Sequence, residues 1–121
     1  MKDDVRVQAE LAEAAAALGA ARAYQDDVLG RATATLDRGD ELSLEDRAGV
    51  GLMSVHAVQA AHRVAEQVCA IVGSASIQRS GPFDRRRRDI ATITSHIIGA
   101  RRTFALPGQL LLGAEPPLSI F

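Results

Sequence analysis

The stretch L-A-E-A-A-A-A-L-G-A-A-R-A-Y-Q-D-D-V-L-G-R-A-T-A-T-L, Leu11 to Leu36, decides the fold. Leu11, Ala14, Leu18, Ala21, Gln25, Val28, Ala32 and Leu36 recur at near-heptad spacing, the period of one helix face, with Gln25 the single polar interruption. Alanine, the strongest helix former, fills much of the rest. The spacing predicts a helix over about Asp4–Arg38, with Arg38 a cation in its last turn and Gly39 just past its end.

Working outward, residues 39–43 make a turn. Ser43-Leu44-Glu45-Asp46 then has the form of a capping box, with Asp in place of the usual Glu or Gln. The second helix runs to about Val72, with Val50, Met53, Ala57, Ala61, Val64, Val68 and Ile71 facing inward, and Gly73 ends it. Residues 73–81 form a small-residue loop. Pro82 suits the first position of a third helix, which runs to about Ile98 with Ile90, Ile93 and Ile97 on its apolar side. Residues 99–103 break that helix. Phe104–Leu112 read as a short fourth helix ended by Gly113, although Pro107 fits its first turn imperfectly. The fold class is therefore all-α: an up-down helical bundle of two long and two shorter helices over residues 1–113. Residues 114–121, with Pro116-Pro117, form an extended tail.

The totals agree with one helical domain. The chain has 121 residues, 47% of them hydrophobic, and only four aromatics: Tyr24, Phe83, Phe104 and Phe121. Its 14 basic and 15 acidic residues give a net charge of −1, so no global attraction to nucleic acid or membrane is expected. Cys69 is the single cysteine and lies on an apolar helix face, so a buried structural thiol is expected and disulfides play no part. The absence of a signal peptide pattern or an apolar run near 18 residues points to the cytoplasm. At about 1.5 Å per residue the first two helices would be roughly 50 and 40 Å long, beyond the ~30 Å span of a small domain. Something outside one compact copy must cover their ends, and a homo-oligomer is the economical answer.

The third helix opens on Arg85, Arg86, Arg87 and Arg88, where the helix dipole makes cations least welcome. That cost suggests an anion or an acidic partner nearby. At 100° per residue, Arg85, Asp89, Thr92 and His96 fall within about 60° of one another, away from the isoleucines. Asp89 and His96 are about 10 Å apart along the axis, which excludes a directly bonded catalytic dyad. A plain solvated face with i, i+4 ion pairs explains the same spacing. A nucleic-acid patch lacks the interleaved aromatics and overall basic charge it needs. His56 and His62 are out of phase for a metal site, and no P-loop, HExxH, G-x-S-x-G or cysteine cluster occurs.

The order of the parts adds more: two long Ala-rich helices, a G-S-A-S loop at residues 73–76, S-x-P-F-x-R-x-x-R-D over Ser80–Asp89, six residues and then His96, and L-L-L-G-x-E-P over Leu110–Pro116. From about Val7 to Pro116 the chain resembles the C-terminal helical domain of the acyl-CoA dehydrogenase fold. Within that fold it is similar to the flavin-dependent two-component monooxygenases, which hydroxylate aromatic or sulfur heterocyclic substrates with reduced flavin and dioxygen. The resemblance implies that Gly73, Ser74, Ala75 and Ser76 lie against the phosphate-bearing end of a flavin, FMN or FAD, commonly across a subunit boundary. It implies that Arg85, Arg88 and Asp89 are the motif arginines and aspartate, and that His96 stands near the flavin ring to help activate oxygen and deprotonate the substrate. An imidazole, which changes charge near neutrality, suits that role. Ser95-His96-Ile97 holds no acid where the dehydrogenases have a catalytic carboxylate, which disfavours acyl-CoA oxidation.

Complete relatives carry an N-terminal helical domain and a β-barrel domain that build most of the pocket. This polypeptide is therefore expected to be inactive alone and to need an assembled site, with a partner chain supplying those domains and a flavin reductase acting indirectly. Two other readings fit the same residues: a non-catalytic oligomerisation or small-molecule-binding module, and a repurposed non-redox enzyme.

Overall fold

The computed structural model describes residues 2–77 and 81–114, and every regular element among them is helical. Helix α1 spans Val5–Asp37, α2 spans Leu44–Val72, α3 spans Pro82–Ser95 and α4 spans Ala105–Leu111. Short 3-10 helices cover Gly73–Ile77 and Arg101–Phe104. Four helices, two long and two short, are thus as the sequence predicts, while the tail beyond residue 114 lies outside the described residues.

The ends of the long helices follow from named residues. Asp4 caps α1, its carboxylate accepting from the Arg6 and Val7 amides. Past Arg38, Gly39 takes a φ of +80°, a conformation that glycine adopts without a Cβ penalty. The capping box at α2 is present in full. The Asp46 amide donates to Ser43 Oγ at 3.0 Å, and the Ser43 amide donates back to the Asp46 carboxylate at 3.2 Å. Gly73 ends α2 with a φ of +68°.

Helix α2 is the spine. The antiparallel α1 lies along one side of it, and α3, the second 3-10 helix and α4 follow one another along another side. Ala14, Ala21, Val28 and Ala32 of α1 and Ala48, Met53, Val55, Ala60 and Cys69 of α2 are buried, so the core is a seam of small side chains. Cys69 is the buried thiol expected. The Gln67 amide donates to the Glu10 carbonyl at 2.9 Å near one end of the seam, and the Tyr24 ring meets His56 edge-on, 5.6 Å between centroids, near its middle.

The α1 stripe is only partly inward. Ala14, Ala21, Val28 and Ala32 are buried and Leu18 is half-buried, but Gln25 is exposed and Leu11 and Leu36 are each 55% exposed. Leu11, Gln25 and Leu36 lie on one flank of the stripe, turned away from Ala14, Ala21, Val28 and Ala32, and that flank leaves the seam.

The third helix stops earlier than its isoleucine pattern predicts. It ends at Ser95, and His96 has extended backbone with ψ of 147°. The cause is tertiary. Gln59 Nε2 of α2 donates to the Gly99 carbonyl at 2.7 Å, and the Gly99 and Ala100 amides both donate to the His96 carbonyl. A Cβ on Gly99 would lie 2.5 Å from the Ile93 carbonyl oxygen and 2.7 Å from Val58 Cγ1, so only glycine lets the chain turn back this closely. Ile97 is therefore not on the α3 apolar face, and it and Ile98 are largely exposed. Pro107 sits in the first turn of α4 and is buried; no intrahelical partner awaits an amide there.

Candidate functional site

The residues singled out by the sequence fall at the two ends of α3. At its start, the segment expected to be a loop is a 3-10 helix over Gly73–Ile77. Gly73 and Ser74 are exposed, and a Cβ added at Gly73 would meet nothing within 4 Å. Ser76 is buried, and its hydroxyl donates to the Gly73 carbonyl at 2.6 Å, closing the turn. Ala75 lies within that turn.

Of the four arginines, one is tied to a neighbouring helix among the described residues. Arg87 makes a two-pronged contact with Glu66 of α2, Nε to Oε1 at 2.6 Å and Nη2 to Oε2 at 2.8 Å. That hydrogen bonding holds the Glu66 carboxyl below its ordinary range and raises the Arg87 guanidinium further. Arg88 pairs with Asp84 at 3.0 Å, which places a carboxylate in the first turn to offset the cations. Arg85 approaches Asp89 at only 3.8 Å and is 84% exposed, so its guanidinium is free to turn to another anion. Arg86 is exposed and makes no ion pair among the described residues. His62, Glu66, Asp84, Arg87, Arg88 and Ala91 line an open cleft of about 480 Å³ between α2 and α3.

His96 is not on the polar stripe that a longer helix would have given it. It follows the last residue of α3, where its Nδ1 accepts from the Ile98 amide at 3.3 Å. The ring is exposed, and Nε2 makes no hydrogen bond among the described residues. Fourteen residues of α3 span about 21 Å, so within one chain His96 stands roughly that far from the start of the helix. The structure brings Gly73, Ser74, Ser76 and the arginines to one end of α3, and leaves His96 at the other.

Sequence reasoning missed the Glu66–Arg87 link because periodicity within one helix carries no information on cross-helix pairing. Gln59, whose amide holds the turn after His96, was invisible for the same reason.

The arrangement can attract an anion at the start of α3 and exchange a proton at its end. The described residues hold no group of three or more His, Cys, Asp or Glu suited to a metal ion, and no described helix is long and apolar enough to cross a membrane.

Comparison with known proteins identifies the domain. Residues 1–100 match the family model described as acyl-CoA dehydrogenase, C-terminal domain. The chain is also similar to an indole-3-acetate monooxygenase of Pseudomonas putida, 28% identical over 116 residues. That alignment covers 96% of this chain and 30% of the relative, so the chain spans under a third of the relative's length.

Proposed function

The chain belongs to the acyl-CoA dehydrogenase family through its C-terminal helical domain, and from that premise we propose that it is the bundle of a flavin-dependent monooxygenase. In this reading it forms the core of a homo-oligomer in the cytoplasm and contributes to a flavin site completed by further polypeptide, including a β-barrel domain. Reduced flavin, FMN or FAD, would supply the electrons for oxygen activation, with a separate reductase regenerating it.

The residues fit that group at both ends. Arg85, loosely held and exposed, suits a phosphate, and the exposed Gly73 and Ser74 leave space beside the turn. The free Nε2 of His96 suits a proton donor or acceptor beside a ring. The separation of about 21 Å along α3 supports the two ends of one helix serving different parts of the assembly, with the Gly73–Ser76 turn reaching a flavin held mainly by another copy.

The single observation that carries the reading is the His96 ring, fixed at Nδ1 by the Ile98 amide and open at Nε2. The test is hydroxylation by the assembled enzyme. His96→Ala is expected to lower turnover by about 10²–10⁴-fold, the usual share of a general acid or base, while flavin affinity changes little. Equal loss of turnover and flavin binding would remove His96 from the chemistry.

A second reading, a non-catalytic oligomerisation module, is favoured by one feature. Leu11, Leu18, Leu29 and Leu36 of α1 lie within about 20° of one line, turned some 60–70° from the buried face. Unchanged activity of the His96→Ala assembly would support that reading instead.

A further inference from the structure

The strongest unassigned feature lies along the N-terminal half of α2. A groove of about 580 Å³ runs between α2 and the segment from Ile97 to Pro107. Its floor and walls are Val50, Gly51, Ile97, Ile98 and Leu106, and Arg47 and Arg102 also line it. The volume is that of a small-molecule site. Ile97 and Ile98 are 65% and 56% exposed, so the trough presents apolar surface to water.

Charge decides what fits. No Asp or Glu lines the groove, and neither Arg47 nor Arg102 makes an ion pair among the described residues. Arg47 is held through one nitrogen only, its Nε donating to the Leu42 carbonyl at 3.1 Å, which leaves both terminal nitrogens available. The two hydroxyls in the lining are already committed, Ser54 to the Val50 carbonyl and Thr103 to the Ile97 carbonyl. Among the described residues, the lining side chains left free to donate are therefore the two guanidinium groups, which suit a carboxylate.

We propose that this groove is a binding site for a small apolar monocarboxylate, its tail along Val50, Gly51, Ile98 and Leu106 and its carboxylate shared by Arg47 and Arg102. The site lies along the N-terminal half of α2, away from the Gly73–Ser76 turn that follows the helix's other end, and it needs no flavin.

The experiment uses the full 121-residue chain without flavin and titrates decanoate, with decyltrimethylammonium as the control of matching tail and opposite charge. Saturable decanoate binding about tenfold or more tighter than that of the ammonium is expected, the scale of one charge-assisted hydrogen bond. The double substitution Arg47→Ala, Arg102→Ala should abolish that preference. Gly51→Leu adds bulk to the trough, where a Cβ meets nothing within 4 Å, and should weaken decanoate binding about tenfold or more. Far-UV circular dichroism checks that each variant stays helical. Absence of saturable binding, equal affinity for the two amphiphiles, or indifference to the arginine substitutions would overturn the proposal. It would also fall if Gly51→Leu changed the sedimentation mass and not the decanoate affinity, which would make the groove a contact between chains. None of these readouts involves flavin or hydroxylation, so the outcome is independent of the monooxygenase reading.

Discussion

Gly99 carries more of the architecture than its size suggests. Its missing side chain lets the turn after α3 rest on both the Ile93 carbonyl and Val58, and its own carbonyl receives the Gln59 amide. Gly99→Ala would force a Cβ into backbone at 2.5 Å, so the variant is expected to lose about 1–3 kcal/mol in denaturant melts. Because this turn positions His96, the variant should also lose activity in an assembled enzyme. Glu66 gives a second residue-scale prediction, in pH dependence. Its carboxyl is held below the ordinary range in the folded chain, first by hydrogen bonding from Arg87. The pair's stabilisation is therefore fully present above the ordinary carboxylate value and disappears as pH falls through the lowered folded one. Glu66→Gln should melt slightly below the parent at neutral pH, and the gap should close in strong acid; a gap that stays constant down to pH 3 would contradict this. The arginine at 87 could be read from the sequence as one of four, but its distinct role could not. That role depends on a residue 21 positions away facing it across a helix boundary.

At the scale of elements, starts and stops written in local chemistry were legible and those written in tertiary contacts were not. The Ser43–Asp46 box, Gly39 and Gly73 are local signals, and each sits where the pattern places it. Ser43→Ala removes the oxygen that accepts the Asp46 amide and should cost about 1 kcal/mol, measured as a lower unfolding midpoint with unchanged denaturant slope. The end of α3 was misjudged because Ile93 and Ile97 keep helical spacing while Gln59, Val58 and Gly99 impose a turn between them. Thr92 and Thr94 add to that tendency, since both hydroxyls bond back to carbonyls of the preceding turn. The same early stop explains why the candidate site was only half legible. The predicted single stripe from Arg85 to His96 ends with the helix, and His96 lies beyond it.

For the molecule as a whole, the leucines exposed on the outer flank of α1, Leu11, Leu29 and Leu36, are where the proposed self-association can be tested. Leu29 is 41% exposed on a helix about 50 Å long whose packing partner is α2. If copies meet along this line, Leu29→Arg should lower the mass seen by sedimentation while leaving helix content intact. An unchanged mass would move self-association elsewhere on the surface. The small-residue character of the core was legible from composition; which flank of α1 stayed uncovered was not, because buried and exposed positions share one repeat.

The alanine seam has a mechanical consequence. The flat knobs of Ala14, Ala21 and Ala32 on α1 give adhesion but, by themselves, little resistance to slipping lengthwise by a turn. Two non-repeating marks prevent it: the Gln67 amide on the Glu10 carbonyl, and the edge of Tyr24 against His56. They act as the notches of a sliding rule, and whatever docks along the outer edge of α1 inherits its distance from α3 from where those notches engage.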